Sequence, residues 1–485
     1  MFRKLKQKIS GAIPLAAPAA PEGAAPTKRS IYQSRLNFGV NFGSLFVQEK
    51  WIFEDCFPNG TGYELDGIRE LVKSKGEDET RNMLESHWKG YCNDDDWNYL
   101  KSKGVTCIRI PIGYWIIDDG KFTSGTNFHK VRSVYKNAWN ILKENYIKKA
   151  ADYDIAIIVD IHGLPKGANT ADHSGEKFDT PGFFDDGDAI DLICDACKFI
   201  VSDLEGFENF AALQIINESV FSNDGSGQKH YYKKAITAIR SVNKEIPVVI
   251  SDGWWVEQWV NWINEQENKS HGDLGIILDT HIYRCFSDDD KSKSAPDIIN
   301  GLGGTVLNDS NLKERSDIMI GEYSCVLDGN TWNCTHGDRN DIVRHYGNTQ
   351  SDIFNQRSNC GYFFWTYKFK WGDGGEWGFR PMVDRQCIRA PPPPKIDPNS
   401  VNEDLFNDYL NKALQGQQVK EEWRFKEGFT TSWADCLEFA KFNNSKLGRL
   451  HAWKNARRNE HIRARGSDGN VFDWDLGFNS AASLF

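Results

Sequence analysis

The sequence predicts an α/β protein, a (β/α)8 TIM barrel with a mostly helical C-terminal extension. Eight short apolar runs, separated by segments of helix length, indicate parallel strands that are covered on both faces. The 485 residues are enough for one barrel of about 250 residues and a smaller appendage. A doubly wound open sheet is the alternative fold, but no GxGxxG or GxxxxGKS motif follows any of the runs.

The eight apolar runs are the predicted strands in chain order. They are 36–42, 105–110, 154–160, 211–217, 247–252, 274–281, 316–321 and 360–365. Before them, residues 1–30 are rich in Ala and Pro and are expected to form a disordered tail. Within this tail, Phe2, Leu5 and Ile9 alternate with basic residues and could form a short, marginal helix on a membrane surface.

The barrel is expected to occupy residues 31–390 and to end at four consecutive prolines. This proline run can join neither a helix nor a central strand, so residues 391–400 are predicted to be a linker. Residues 401–485 are predicted to be mostly helical and to pack on the barrel. Their basic stretch 449–465 is interpreted as a solvated helix face that packs its Trp on the barrel, rather than as a site for an anionic partner.

Charge and composition exclude several classes of function. The net charge is −10, whereas a nucleic-acid-binding protein would carry a basic surface. No stretch approaches the ~18–20 apolar residues of a membrane span, and no apolar run of signal-peptide length begins the chain. We therefore expect a cytoplasmic protein without stable membrane insertion. The eleven cysteines lack a disulfide-scaffold spacing, and neither HExxH nor a pair of CxxC motifs is present, so no metal site is expected.

Polar and aromatic residues stand at or just after the carboxyl ends of the predicted strands. In a (β/α)8 barrel these ends meet around one cavity, where the active site lies. The residues are Arg109, His162, Asn217, Glu218, His281, Tyr283, Glu322 and Trp365. Each alone could be structural, but together they predict a polar site at the mouth of the barrel.

Two carboxyl groups in this set, Glu218 and Glu322, suit the cleavage of a glycosidic bond. One carboxyl group protonates the leaving oxygen, and the other attacks the anomeric carbon or activates water. Arg109 is expected to keep Glu322 ionised, because a nearby positive charge lowers a carboxyl pKa. Tyr283 is expected to hydrogen-bond the same carboxylate, and Asn217 to bind the sugar 2-hydroxyl.

The remaining residues of the set are expected to hold the sugar. His162 and His281 supply hydrogen-bond donors around the acid/base and the sugar, and Trp365 offers a flat apolar face for stacking. The chain contains 17 Trp, which suits either a bulky core or a sugar-binding site lined with rings. Hydrolysis of this kind requires no cofactor.

These eight residue types, in this order, resemble the motif of glycoside hydrolase family 5. Five segments are similar to its fungal exo-β-1,3-glucanase (glucan 1,3-β-glucosidase) branch: LNFGVNFGSLFVQEKWIF at 36–53, CIRIPIGYW at 107–115, DIHGLPKGANTADHSG at 160–175, HIYRCFS at 281–287 and GEYS at 321–324. The C-terminal part resembles a yeast subgroup without a secretion signal, as do SDGWW at 251–255 and GDGGEWG at 372–378.

The resemblance implies a retaining exo-β-glucosidase that works through a covalent glycosyl-enzyme. Glu218 would be the general acid/base and Glu322 the nucleophile, with carboxyl groups about 5–5.5 Å apart. The resemblance also implies that Glu49 and Asp172, with His173 beside it, bind the outer hydroxyls of the terminal sugar and close the pocket at one end.

The resemblance is incomplete at the entrance of the pocket. Phe286 matches half of an aromatic clamp around the next sugar, but Ala171 stands where the branch has the other ring. The missing ring forfeits about 1 kcal/mol or more of stacking. The expected substrate is β-1,3-glucan. The alternatives are a sterol or ceramide glucoside and, from another class, a carbohydrate-binding scaffold that has lost activity.

Overall fold

The structure, a computed structural model, describes residues 11–485 and confirms the predicted barrel. Eight parallel strands pair in chain order, and the last strand closes on the first. The strands are β1 (Asn37–Asn41), β2 (Cys107–Gly113), β3 (Ala156–Gly163), β4 (Phe210–Gln214), β5 (Val248–Ser251), β6 (Ile276–Ile282), β7 (Asp317–Tyr323) and β8 (Gly361–Phe364). Each strand overlaps one of the predicted apolar runs.

Helices fill the segments between the strands and follow the last of them. The α-helices are α1 (Lys28–Ser34), α2 (Glu64–Lys75), α3 (Glu77–Gly90), α4 (Asp94–Ser102), α5 (Ala138–Ile141), α6 (Lys148–Ala151), α7 (Gly187–Asp203), α8 (Ser226–Arg240), α9 (Val256–Ser270), α10 (Asp288–Lys291), α11 (Ala295–Thr305), α12 (Leu312–Arg315), α13 (Gly329–Asn333), α14 (Arg339–Arg357), α15 (Phe379–Asp384), α16 (Glu403–Gln415), α17 (Glu422–Lys441), α18 (Leu450–Arg465) and α19 (Val471–Ala482). A π-helical turn at Leu142–Ile147 joins α5 to α6.

Burial on both faces explains why the strands are continuous apolar runs. All residues of β1 to β5, β7 and β8 are buried, because helices cover the outer face and side chains fill the barrel. The lower part of the barrel interior is filled by Cys107, Ile158, Val249, Met319 and Phe363. The barrel is therefore a packed core, and its chemistry lies beyond the carboxyl ends of the strands.

The four C-terminal helices form a second apolar cluster at the opposite end of the barrel. Leu36, just before β1, donates its N–H to the carbonyl of Lys446 at 2.9 Å. Arg449 pairs at 3.2 Å with Asp317, which begins β7, and both side chains are buried. This extension therefore covers the end of the barrel remote from the active site.

The interpretation of stretch 449–465 was wrong in its packing. Trp453 packs within the helical cluster, against Phe439 at 5.1 Å between ring centroids, and not on the barrel. Arg457 is buried and bonded to Asp435 at 2.7 Å rather than solvated. The C-terminal helices form their own apolar core, and Trp453 packs into that core.

The prediction of a disordered tail was wrong for residues 11–30. Ile13 is buried in the barrel cluster and Ala20 in the cluster of C-terminal helices. Arg457 also donates hydrogen bonds to two backbone carbonyls of this segment. The Ala- and Pro-rich composition gave no indication that Ile13 and Ala20 would be buried. The membrane-surface helix suggested for Phe2, Leu5 and Ile9 lies outside the described residues.

Two further observations concern membrane spans and cysteines. Within residues 11–485 we find no helix with both the length and the apolar character needed to cross a bilayer. All eleven cysteines fall in this range and are unpaired. Cys194 and Cys197 lie buried in α7.

Candidate active site

A cavity of about 420 Å³ opens at the carboxyl ends of the strands. Its lining residues are Glu49, Trp51, His162, Ala171, Asp172, His173, Asn217, Glu218, Tyr283, Phe286, Glu322, Trp365 and Trp377. Ten of the twelve predicted site residues are among them. The other two, Arg109 and His281, hydrogen-bond to the two glutamates of the lining. The structure therefore brings the whole predicted set to one place.

Glu218 and Glu322 lie close together in this cavity. One carboxylate oxygen of Glu218 is within 4.8 Å of one of Glu322. Carboxyl groups that attack a sugar directly are about 5–5.5 Å apart, whereas those that leave room for a water are ~6.5–9.5 Å apart. Glu218 follows β4 with a left-handed backbone (φ 43°), and Glu322 belongs to β7. The spacing suits direct attack.

Two donors hold the Glu322 carboxylate. Arg109 donates from Nη1 to Oε1 at 2.9 Å, and the Tyr283 hydroxyl donates to Oε2 at 2.8 Å. Arg109 is fully buried and also lies 3.0 Å from Asp160. Burial alone would lower the pKa of Arg109, but the charges of Asp160 and Glu322 raise it above its ordinary value. A permanent buried cation therefore faces the predicted nucleophile.

Two histidines hold the Glu218 carboxylate. His281 Nδ1 lies 2.8 Å from Oε1, and His173 Nε2 lies 3.2 Å from Oε2. Burial alone would raise the pKa of Glu218, but the hydrogen bonds and charges of the two imidazoles lower it well below its ordinary value. Burial alone would lower the pKa of His173, but Glu218, Glu49 and Asp172 raise it to about 9. In this arrangement the proton lies on imidazole rather than on Glu218.

Asp279 supports the site from the side of His281. Its Oδ2 lies 3.0 Å from His281 Nε2 and accepts a hydrogen bond from Gln214 at 2.8 Å. Its Oδ1 accepts the backbone N–H of Gly321 at 2.7 Å, and a Cβ at Gly321 would come within 2.2 Å of this oxygen. With carboxylates on both sides, His281 has a pKa raised well above its ordinary value despite burial.

His162 is held as a neutral ring. Its Nδ1 donates to Asp160 at 2.7 Å, and its Nε2 accepts from the amide of Asn217 at 3.3 Å. Burial first, and then the charge of His173, lower the pKa of His162 well below its ordinary value. The Trp365 ring lies nearly parallel to the imidazole, at 5.8 Å between centroids.

Glu49 lies buried in the cavity wall. Its carboxylate accepts a hydrogen bond from Trp51 Nε1 at 2.9 Å. Burial raises the pKa of Glu49 to about 8, so this carboxyl group is more readily protonated than an exposed one. Asp172 and His173 lie in the same cavity, on a short 3-10 turn after β3.

Comparisons with known proteins identify the family of this chain. A family model described as Cellulase (glycosyl hydrolase family 5) matches residues 72–370. The chain belongs to glycoside hydrolase family 5. A second model, described as the C-terminal domain of glucan 1,3-beta-glucosidase 3, matches residues 399–485, which contain the four C-terminal helices. The protein is therefore a glycoside hydrolase with this additional helical region.

Relatives in family 5 extend over nearly the whole chain. An uncharacterized glycosyl hydrolase of Saccharomyces cerevisiae is 38% identical over 99% of this chain and 97% of its own length. Glucan 1,3-beta-glucosidase 3 of Schizosaccharomyces pombe is 31% identical over 94% of this chain and 96% of its own. Rutinosidase from Aspergillus niger shares the fold, with a TM-score of 0.58 and 19% identity over 73% of this chain and 98% of its own.

Sequence reasoning missed several residues of this family 5 site. Trp51 and Trp377 line the cavity, with ring centroids 5.3 Å apart. Both lie in segments that resemble the exo-glucanase branch, but neither stands at a strand end, so the search of strand ends passed over them. Asp279 was also missed, although it lies two residues before His281 on β6, and alternate residues of a strand share one face.

Proposed function

We propose that this family 5 hydrolase is a retaining, exo-acting β-glucosidase that releases terminal β-linked glucose, with β-1,3-glucan as the expected substrate. The observation that carries the proposal is the separation of Glu218 and Glu322, whose carboxylates approach within 4.8 Å in one cavity. That separation is shorter than the ~6.5–9.5 Å of enzymes that place a water between the sugar and the second carboxylate, which supports Glu322 itself as the nucleophile.

The reaction proceeds in two displacements. In the first, Glu322 attacks the anomeric carbon while Glu218 passes a proton from the His173 imidazolium to the leaving oxygen, and a covalent glycosyl-enzyme forms. In the second, the Glu218 carboxylate takes a proton from a water molecule, whose oxygen displaces Glu322 and releases glucose with its original configuration. The two hydrogen bonds from Arg109 and Tyr283 keep the Glu322 carboxylate oriented before attack. They stabilise its negative charge again when the second step releases it.

The contents of the cavity support exo action. Glu49, Asp172 and His173 share the cavity with the catalytic pair. The carboxyl group of Glu49 can accept hydrogen bonds from sugar hydroxyls, and it can also donate one when it is protonated. His173 Nδ1 is buried and has no hydrogen-bond partner within residues 11–485. These polar groups are suited to hydrogen-bond the outer hydroxyls of a terminal sugar.

A second candidate substrate is a sterol or ceramide glucoside, which the shape of the entrance favours. Phe286 is 62% exposed at the entrance, and Ala171 in the same cavity carries no ring to pair with it. A glucan therefore lacks one of the two stacking partners for its next sugar. An inactive carbohydrate-binding scaffold is disfavoured because both glutamates are present with their hydrogen-bonding partners.

Three measurements test the proposal. Glu322→Ala should abolish turnover of p-nitrophenyl β-glucoside, and added azide should restore it by forming α-glucosyl azide. Glu403→Ala, on exposed helix α16, is the matched control and should keep full activity. Proton NMR should show the β-anomer of glucose first, and the α-anomer first would contradict retention.

The substrate is tested by comparing glucose release from laminari-oligosaccharides and from glucosylceramide or a sterol glucoside. Glucose as the sole early product from an oligosaccharide supports exo action, and longer products would contradict it. Binding of sugars without cleavage of any substrate would favour the scaffold.

A further inference from the structure

We propose that an apolar surface beside Glu218, formed by Val220, Phe221, Trp254 and Trp255, binds the leaving group of the substrate and selects β-glucosides of extended apolar alcohols. This surface is called the aglycone surface below. The inference rests on the proposed β-glucosidase activity and favours its second candidate substrate over β-1,3-glucan, because it assigns the part of the substrate that lies beyond the oxygen that Glu218 protonates.

The aglycone surface belongs to an unusual concentration of exposed apolar side chains. Eleven large apolar side chains are exposed in the described residues, and seven of them follow barrel strands at the active-site end. The four of the aglycone surface are between 37% and 53% exposed. A contiguous exposed patch of this kind marks a binding surface more often than scattered single residues do.

The aglycone surface is continuous with the catalytic carboxyl group. Val220 lies two residues after Glu218 in the loop that follows β4. Trp254 packs edge-on against His281, with 6.5 Å between ring centroids, and His281 in turn hydrogen-bonds Glu218. The aglycone surface therefore lies next to the residues that hold Glu218.

Contacts between the two loops hold the aglycone surface in shape. The rings of Phe221 and Trp255 stack with 6.4 Å between centroids and 28° between planes. The side-chain amide of Gln258 donates to the carbonyls of Ser222 and Asn223, which ties α9 to the loop after β4. The apolar side chains are thus positioned before any ligand arrives, which lowers the entropy cost of binding.

A second cavity of about 220 Å³ extends the aglycone surface away from the catalytic carboxylates. Trp254, Trp255, Ile282 and Leu307 contribute its apolar walls, and polar side chains line the rest: Asp252, Glu257, Thr280, Thr305 and Asn308. His281 also lines this cavity, so the imidazole that holds Glu218 separates it from the sugar pocket. An extended leaving group can therefore continue past His281.

The chemistry of the aglycone surface favours hydrocarbon over sugar. Its four side chains offer only two polar groups, the indole N–H groups of Trp254 and Trp255. A saccharide would leave many of its hydroxyls without protein partners here, whereas an alkyl chain or fused ring system would bury apolar area on both sides. The entrance residue Ala171 adds no ring that would hold a second sugar.

The test compares methyl, butyl, hexyl and octyl β-glucosides, each below its critical micelle concentration. A fully buried methylene raises kcat/KM by about fourfold, so two or three buried methylenes give roughly ten- to sixtyfold for octyl over methyl glucoside. The double variant Phe221→Ala/Trp255→Ala should lose most of this ratio. Phe221→Ala alone should lose part of it and serves if the double variant does not fold.

The matched control is Trp423→Ala/Phe472→Ala, which removes two comparably exposed rings from the C-terminal helices and should keep the ratio. An equal rate for methyl and octyl glucoside in the wild type, or an unchanged ratio in the double variant, would overturn this inference alone. A larger loss for laminari-oligosaccharides than for octyl glucoside would make the surface a sugar subsite and overturn it too. Failure of the wild type to hydrolyse any glucoside would overturn the proposed function as well.

Discussion

Replacing His173 with Gln tests how the general acid obtains its proton. His173 Nε2 lies 3.2 Å from Glu218, and the pKa of His173 is raised to about 9. While the imidazole is protonated, its proton can shift to Glu218 as the leaving oxygen develops charge, and the pair behaves as one titrating unit. The wild-type enzyme should therefore keep acid catalysis up to about pH 9.

The variant loses this stored proton. Glu218 must then take its proton from solvent at its own pKa, which the charge of His281 keeps low. Above that pKa the fraction of protonated Glu218 falls tenfold with each pH unit. Between pH 6 and pH 8, kcat/KM for a substrate that needs acid catalysis should therefore fall about 100-fold in His173→Gln and stay nearly constant in the wild type.

Two substrates separate this effect from general damage. Methyl β-glucoside has a poor leaving group that needs a proton, whereas 2,4-dinitrophenyl β-glucoside departs without one. Only the methyl glucoside profile should steepen in the variant. His230→Gln, at an exposed position of α8, is the matched control and should follow the wild type. Parallel profiles for wild type and His173→Gln with methyl glucoside would refute the reasoning.

Three further changes have defined outcomes. Glu218→Gln should lower kcat/KM for methyl β-glucoside by about 10²–10⁴-fold and for the dinitrophenyl glucoside far less, because only the former needs the acid; equal losses in steady-state assays would contradict this role. Ala171→Phe should lower KM for laminari-oligosaccharides about fivefold, from ~1 kcal/mol of ring stacking, without changing KM for methyl glucoside; an unchanged KM would mean that no second sugar stacks here. Arg457→Met leaves buried Asp435 without its cation and should lower the free energy of unfolding by about 3–5 kcal/mol in urea denaturation. The exposed Arg463→Met should cost less than about 1 kcal/mol, and equal losses would contradict the importance of burial.

The barrel could be predicted because its physical signal is local. A strand buried on both faces must be apolar along its length, so each strand appears in the sequence as a short continuous run. The meeting of Glu218 and Glu322 in one cavity could be predicted because both stand at or just after strand ends, and the closure of the barrel determines that such ends converge.

Other parts of the site carried no local signal. Trp51 and Trp377 lie on loops whose paths depend on tertiary packing. His173 was expected to bind sugar with Asp172, yet its Nε2 lies on Glu218, a contact between segments 45 residues apart. The composition of residues 11–30 also led to a wrong expectation of disorder. Burial of one Ile and one Ala holds this segment in place although most of its residues are small and exposed.

Residues 11–30 and the C-terminal helices both cover the lower end of the barrel. This arrangement affects how the protein folds during its synthesis. The segment before β1 bonds to Lys446, and residues 11–30 contribute to the core formed by the last helices. During synthesis on the ribosome, the first strand must therefore wait for residues 401–485 before its lower edge is covered. We expect chaperone dependence and protease sensitivity of the nascent chain to end only when the final helix, Val471–Ala482, leaves the exit tunnel.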